Sequence, residues 1–160
     1  MLRTCLAAVV LAISVPAVAD ESGYPTNQCI NSLQLDGRLA AIADKVALGR
    51  SDETSAGMLE LNRAAAEPER NALALWSKLR QFCFDLGADF RSGLANREQA
   101  ALADRLFGLH QRMIDELREG RGTYAEFNHR RVEIYLIAAT LELQILERAE
   151  QTTAAAQRDL

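Results

Sequence analysis

The topology of this chain depends on residues 67–87, EPERNALALWSKLRQFCFDLG. Pro68 is favourable in the first turn of a helix and disruptive further inside, so it marks either a helix start or a kink. Gly87 can end a helix because it tolerates the conformations that a C-terminal cap requires. The apolar residues between them recur at helical spacing and are Ala72, Leu75, Trp76, Leu79, Phe82, Cys83 and Leu86. The stretch is therefore predicted to be a helix that carries Cys83 close to its C-terminal end.

The interpretation of Cys83 depends on the first residues of the chain. Residues 1–19, MLRTCLAAVVLAISVPAVA, combine one arginine, a short apolar run and a small-x-small cleavage site. This pattern predicts a secretory signal peptide that is cleaved after Ala19. Cys5 is removed with it, and two cysteines remain in a compartment where thiols oxidise. We therefore predict a periplasmic or secreted protein with a disulfide between Cys29 and Cys83; the alternative is two buried free thiols.

This disulfide favours one arrangement of the predicted helices. Its Cα atoms must lie within about 7 Å of each other, so the start of the first arm must meet the end of the segment that carries Cys83. That happens if residues 52–86 run in one direction with a kink at Pro68. We therefore predict an all-α, up-down-up-down four-helix bundle. It forms one domain, residues 27–151, with arms at 27–48, 52–86, 96–119 and 123–151, a flexible leader at 20–26 and a frayed tail at 152–160.

The last arm carries the clearest local signals. Thr123 and Glu126 are spaced as a capping box, in which each side chain accepts a hydrogen bond from the other residue's backbone N–H. The residues of its apolar face at helical spacing are Phe127, Ile134, Ala138, Leu141 and Ile145. Four more apolar residues widen this face; they are Tyr135, Leu136, Leu143 and Leu146. The arm therefore has a broad surplus of apolar surface.

Composition and charge argue against several functional classes. The chain has 18 basic and 22 acidic residues, a net charge of −4, so no positive field would draw it to nucleic acid or anionic lipid. Sixteen of the basic residues are arginine, which we interpret as a bias of genomic base composition rather than as a use of guanidinium groups. After the signal peptide, no apolar run is long enough to span a membrane. We expect neither nucleic-acid binding nor a transmembrane segment.

The motifs of common catalytic and cofactor sites do not occur in the sequence. It contains no C-x-x-C, C-x-x-C-H, G-x-S-x-G or H-E-x-x-H pattern and no glycine-rich phosphate-binding loop. Each of these patterns places a nucleophile, a metal ligand or a backbone cradle where its chemistry needs it. We therefore expect that the protein is not an enzyme and has no cofactor.

One metal-binding hypothesis involves the last two arms. Counting outward from the turn at residues 120–122 places His110, His129 and Glu133 along a short stretch of a helical hairpin. Two imidazoles and a carboxylate would suit Zn²⁺ or Cu²⁺. The alternative is a solvated His129 and a His110 at the edge of the packed face.

Aromatic residues concentrate in the middle of the chain, around Trp76. The simplest interpretation is core packing. Phe82 and Phe84 cannot both face one side of a helix, so we expect one of them to be partly exposed. An exposed aromatic side chain can anchor a protein contact. Phe82, Phe84 and Phe90 are therefore the candidates for a partner-binding patch.

These observations lead to one function and one alternative. We expect an exported, non-catalytic helical module of the bacterial cell envelope, either an interaction or adaptor module or one like an inhibitor. Its partner would be another envelope or extracellular protein. The alternative is a periplasmic stress protein that binds a small ligand or a metal.

Overall fold

The computed structural model describes residues 24–94 and 96–158, which form an all-α fold without strands. The predicted fold class is therefore confirmed. The helices of the described residues are α1 (Pro25–Ser32), α2 (Ala56–Glu60), α3 (Glu67–Leu86), α4 (Ala88–Ser92), α5 (Arg97–Arg118) and α6 (Tyr124–Arg158). The predicted signal peptide and residues 20–23 of the predicted leader lie outside the described residues. Residues 25 and 26, which we assigned to the leader, form the first turn of α1.

The predicted disulfide between Cys29 and Cys83 is confirmed. It joins α1 to α3 with a Cα–Cα distance of 5.3 Å. Cys83 is fully buried, and Cys29 packs against the hydrophobic core. The cross-link therefore fixes the first helix of the described residues to the C-terminal part of α3.

The first predicted arm is not one helix. Instead of reaching residue 48, α1 ends at Ser32, and two 3₁₀ turns and an irregular segment follow up to residue 50. The apolar spacing in this region still reflects burial, because Leu39, Ile42 and Val46 are fully buried. The pattern identified core residues correctly and their backbone conformation wrongly.

Side chains from other helices explain why this segment needs no helix. Trp76 of α3 donates its indole N–H to the carbonyl of Leu48 at 3.2 Å. Asn128 of α6 donates its amide to the carbonyl of Lys45 at 2.8 Å. These bonds satisfy buried carbonyl groups that a helix would otherwise satisfy within itself.

The second predicted arm is also divided. Residues 52–86 are not one kinked helix, because α2 is only five residues long and residues 61–66 are not helical. The N–H groups of Tyr124 and Ala125 donate to the carbonyls of Arg63 and Leu61 at 3.0 and 2.9 Å. The non-helical segment thus satisfies N–H groups in the first turn of α6 that have no partner within that helix. Pro68 lies in the first turn of α3, so it marks a helix start rather than a kink.

The core lies where α3, α5 and the first half of α6 meet the segment 33–48. Helix α3 packs against α1 and α5, α5 packs against α6, and α2 packs against α6. The buried side chains at the centre are Leu73, Trp76, Met113, Ile114, Leu117, Tyr124 and Phe127. The long antiparallel elements are α3, α5 and α6, so the up-down-up-down bundle of four long arms is not confirmed.

The turn between α5 and α6 agrees with the sequence analysis. Gly120 and Gly122 have φ values of 77° and 139°, which a residue with a side chain rarely adopts. Glu126 accepts a hydrogen bond from the Thr123 N–H at 2.8 Å, and the Thr123 hydroxyl accepts one from the Glu126 N–H at 3.2 Å. The predicted capping box is confirmed.

The end of α6 differs from the prediction. The helix continues to Arg158 instead of fraying after residue 151, and all of its residues from 146 onward are exposed. None of the helices in residues 24–94 and 96–158 combines the length and the apolar character needed to cross a bilayer.

Candidate functional site

The most extensive exposed apolar surface in the described part of the chain lies on α6. Leu136 and Leu143 are 59% and 62% exposed, and Ile137 and Leu146 are also exposed. On the opposite side of the same helix, Ile134 packs against the core, and Ala138 and Ile145 are buried. The apolar surplus predicted for this helix is therefore exposed and does not enter the core.

Three of the exposed leucines and two half-buried residues of α6 follow a regular spacing. We define the outer stripe of α6 as Val132, Leu136, Ala139, Leu143 and Leu146. The intervals are four, three, four and three residues, the heptad pattern that keeps one seam facing a partner helix. The buried side of α6 repeats the same pattern through Phe127, Arg131, Ile134 and Ala138. Helix α6 therefore has two seams at helical spacing. The fold buries one of them and partly covers the other, in which Val132 and Ala139 are half-buried.

Acidic side chains border the outer stripe. Glu133, Glu142 and Glu147 are exposed next to it along the helix. The basic residues nearby are turned towards α5, because Arg130 pairs with Glu116 at 2.8 Å and Arg148 pairs with Glu98 at 2.7 Å. The stripe is therefore bordered by three exposed glutamates, with the exposed Arg50 near Tyr135 at one edge.

The predicted aromatic patch is only partly available. Phe82 is 62% exposed, as expected for one of the two phenylalanines on that helix. Phe84 stacks on Phe107 with ring centroids 4.0 Å apart, and the Arg91 guanidinium covers it at 3.5 Å. Phe90 is 41% exposed and contacts Tyr24 edge-on at 4.2 Å. Phe84 is thus occupied within the fold, and Phe82 remains as the most exposed member.

The three residues of the metal hypothesis do not come together. His110 points into a cavity between α1, α3, α5 and α6, whereas His129 lines a different cavity at the α5–α6 turn. Glu133 is exposed. Among residues 24–94 and 96–158, no three His, Cys, Asp or Glu side chains are placed to hold a metal ion. Counting residues from the turn gives the level along the hairpin but not the rotation of each side chain about the helix axis.

The cavity beside His110 contains two buried arginines. Arg80 of α3 and Arg131 of α6 are 6% and 1% exposed. Their guanidinium carbons each lie 5.3 Å from the centre of the Trp76 ring. The cavity has a volume of about 200 Å³, and we call it the arginine pocket. Its lining includes the side chains of Ile30, Arg80, Leu106, His110, Arg131 and Ile134.

No carboxylate forms an ion pair with either buried arginine within the part of the chain that the structure describes. Arg131 donates to the carbonyls of Ala47 and Gly49 at 2.6 and 3.3 Å. The Nε atoms of Arg80 and Arg131 have no hydrogen-bond acceptor. Burial lowers the pKa of Arg80 to about 10. Burial, together with the nearby charge of Arg80, lowers the pKa of Arg131 to about 9.

His110 is neutral in this environment. Burial and the charges of Arg80 and Arg131 lower its pKa to about 3. Its Nδ1 lies 2.9 Å from the carbonyl of Leu106, which places the proton on Nδ1. Its Nε2 has no hydrogen-bond partner. The pocket therefore holds two guanidinium charges and one neutral imidazole.

The sequence analysis missed both arginines, although a signal was present. Arg80 continues the buried series Leu73, Trp76 and Cys83, and Arg131 lies between the buried Phe127 and Ala138 at the same spacing. A charged residue at a position where the helical period calls for an apolar one is the feature that could have identified them. We attributed the arginine content to base composition and therefore did not interpret the positions of these two arginines.

The comparisons with known proteins add no assignment. Neither the protein-family models, nor the curated proteins, nor the solved structures contain a significant match to this chain. The outer stripe and the arginine pocket are therefore interpreted from their own geometry.

Proposed function

We propose that the protein is an exported, non-catalytic interaction module and that the outer stripe of α6 binds an amphipathic helix of another protein. The observation that carries the proposal is the heptad seam from Val132 to Leu146, in which the three leucines Leu136, Leu143 and Leu146 are exposed. Exposed apolar surface of this regularity is typical of a protein contact. The predicted signal peptide makes an envelope or extracellular protein the expected partner.

The acidic border indicates the chemistry of the partner helix. In paired helices, the residues that flank the apolar seam face the flanking residues of the other helix. Glu133, Glu142 and Glu147 would therefore face them. A partner with Lys or Arg at these positions is attracted, whereas a second copy of α6 would bring glutamate next to glutamate. We expect a partner helix with basic flanks rather than a homodimer.

The seam is short enough for reversible binding. Residues 132–146 span about 21 Å along the helix axis, or about four turns. Full burial of one leucine side chain contributes about 1.5–3 kcal/mol, so Leu136 and Leu143 together supply a large share of the affinity. An adaptor or an inhibitor that must release its partner fits a contact of this size.

Two synthetic peptides test the proposal. Each is an amphipathic helix of 21 residues with leucine at the seam positions; one has lysine at the flanks and the other has glutamate. We expect the lysine peptide to bind at least about tenfold more tightly, a difference of about 1.4 kcal/mol. Fluorescence anisotropy with a labelled peptide measures both affinities.

Variants connect this binding to the stripe. The double variant Leu136→Gln/Leu143→Gln removes apolar surface without adding charge, and glutamine preserves helix propensity. This double variant should no longer bind the lysine peptide. The control Phe82→Gln removes an equally exposed residue of α3 and should bind the peptide normally. Equal binding by the double variant would contradict the proposal. Sedimentation gives a second test. If the native chain is a homodimer and the double variant is a monomer, a second copy of the chain covers the stripe, and this would also contradict the proposal.

Export has its own test. Expression in a Gram-negative host with the native N-terminus should yield a periplasmic protein whose mass corresponds to residues 20–160. A chain that keeps its first 19 residues and stays with the cytosolic fraction would remove the envelope partner from the proposal.

A further inference from the structure

We infer that the arginine pocket binds a small organic carboxylate, with the anionic group between Arg80 and Arg131 and a short apolar tail against Ile30, Leu106 and Ile134. This site shares Ala139 with the outer stripe but does not depend on the proposed partner. It supplies the ligand-binding role that the sequence left as an alternative.

The first argument is the unbalanced charge of the pocket. Arg80 and Arg131 are more than nine-tenths buried and form no ion pair within the described residues. Burying a guanidinium without an ion pair is costly, and two of them next to each other also repel. The charge of Glu53 acts on Arg131 only from beyond ion-pair distance. A carboxylate between them would neutralise charge and accept hydrogen bonds from N–H groups that have no acceptor.

The second argument is that the two arginines differ in their hydrogen bonds. The terminal nitrogens of Arg131 hold the carbonyls of Ala47 and Gly49, so that side chain has a structural role and a fixed position. No hydrogen bond from Arg80 to the described residues is found, and its only partner is the face of Trp76. Arg80 therefore retains the donors that a ligand would use.

The third argument is the remaining lining. Two other charged residues line the pocket, Arg50 and Glu142, and both are exposed at its rim. Arg50 pairs with Asp52 at 2.7 Å. With Arg80 and Arg131, the charged groups of the lining are thus three guanidinium groups and one carboxylate. The interior is positive, and its deeper walls are apolar.

The size of the pocket limits the ligand. At about 200 Å³ it is smaller than the 300–1,000 Å³ typical of sites for drug-sized molecules. A carboxylate with a tail of a few carbon atoms fits this volume. A nucleotide or a peptide does not.

Three small probes test the chemistry of the site. Butyrate carries the anion and the tail, butanamide has the same shape without the charge, and inorganic phosphate has the charge without the tail. We expect butyrate to raise the melting temperature in a concentration-dependent way and to give a binding isotherm by calorimetry. Butanamide should have no effect, and phosphate should bind at least tenfold more weakly. Equal or tighter binding of phosphate would overturn the carboxylate assignment, and no binding of either anion would overturn the site.

Two variants on α3 locate the binding. Arg80→Met keeps an unbranched, flexible side chain but removes the guanidinium, and it should weaken butyrate binding at least tenfold. Lys78→Met removes the same charge from an exposed position and should leave binding unchanged. Without ligand, Arg80→Met should melt at the same temperature or higher, because an unpaired buried charge is removed. A lower melting temperature with unchanged butyrate binding would mean that Arg80 is purely structural.

A third variant keeps the test decisive if Arg80→Met does not fold. Arg80→Lys retains the positive charge but lacks the planar fork that matches a carboxylate, so it should bind butyrate more weakly than the native chain. The stripe variant Leu136→Gln/Leu143→Gln should bind butyrate normally. Loss of butyrate binding in the stripe variant would contradict the separation of the two sites.

Discussion

Glu69 is the carboxylate that holds the non-helical segment 61–66 in place. It accepts hydrogen bonds from Arg63 at 2.7 and 2.5 Å and from the N–H of Ala66 at 2.8 Å. It also accepts one from the Tyr124 hydroxyl at 3.2 Å. The hydrogen bonds from Arg63 lower the pKa of Glu69 to about 2. One side chain thus connects the start of α3, the segment before it and the start of α6.

Replacing Glu69 should lower stability in a pH-dependent way. Because its pKa in the folded state lies below its usual value of 4.5, the stabilisation is present above about pH 4.5 and is lost as pH falls towards 2. Glu69→Gln should cost about 1–3 kcal/mol at pH 7 and progressively less in acid. Urea unfolding at pH 7, 4 and 3 measures this, with the exposed Glu67→Gln as control. An equal loss at all three values would contradict the assignment of the charge.

At the scale of single residues, the features that could be predicted from the sequence are those that depend on neighbouring residues or on the predicted cell compartment. The capping box at Thr123 and Glu126 is a local pattern, and the Cys29–Cys83 bond follows from an even cysteine count in an exported chain. The arginine pocket was not predicted, because Arg80 and Arg131 lie 51 positions apart and meet only through the packing of α3 against α6. The three residues of the metal hypothesis do not come together for a related reason. The spacing along the sequence did not determine in which direction the His110 side chain points.

At the scale of elements, long-range side-chain bonds replace helices in the first third of the structure. Trp76, Asn128 and Arg131 donate to carbonyls of residues 45–49. Asn128 also donates to the carbonyl of Met58 at 2.9 Å. The helical spacing of Leu39, Ile42 and Val46 was visible in the sequence, whereas these donors, up to 84 residues away, were not. Helix lengths were therefore overestimated before α3 and predicted well for α3 and α5.

Asn128 should be a strong determinant of this region. Asn128→Ala would leave the part-buried carbonyls of Lys45 and Met58 without their side-chain donor, at a cost of about 1–3 kcal/mol. Hydrogen exchange should show the loss first in residues 45–49, before α3 and α5. The exposed Asn62→Ala serves as control. Uniform loss of protection along the chain would mean that the segment unfolds only with the whole domain.

At the scale of the whole molecule, the disulfide connects two elements that are far apart in sequence. Cys29 and Cys83 are 54 residues apart, so the bond closes a loop that contains the segment 33–50, α2 and most of α3. Cross-linking a loop of this length restricts the unfolded chain. The fold therefore relies on the oxidation of these two cysteines for part of its stability.

Removing the disulfide should lower the free energy of unfolding by about 2–4 kcal/mol. The double variant Cys29→Ala/Cys83→Ala, compared with the native chain in guanidinium chloride, measures this loss. Adding reductant to the native chain should produce a similar shift, and the double variant should not respond to it. A native chain that is insensitive to reductant would contradict this role.

The whole molecule also shows how two surfaces follow from one helix. The inner seam of α6 packs against the core and carries Arg131 into the arginine pocket, whereas the outer stripe exposes Leu136, Leu143 and Leu146. The apolar surplus of this helix was visible in the sequence, but its division into two seams depends on which side α5 covers.

Mapping the contact surface by NMR tests the central claim most directly. The ¹⁵N-labelled protein is titrated with the unlabelled lysine-flanked peptide, and the amide shifts are followed. We predict shifts concentrated at residues 132–146 of α6, with α3 unaffected. Shifts centred on Phe82 and Leu86 of α3, with residues 132–146 unchanged, would show that the outer stripe is not the binding surface.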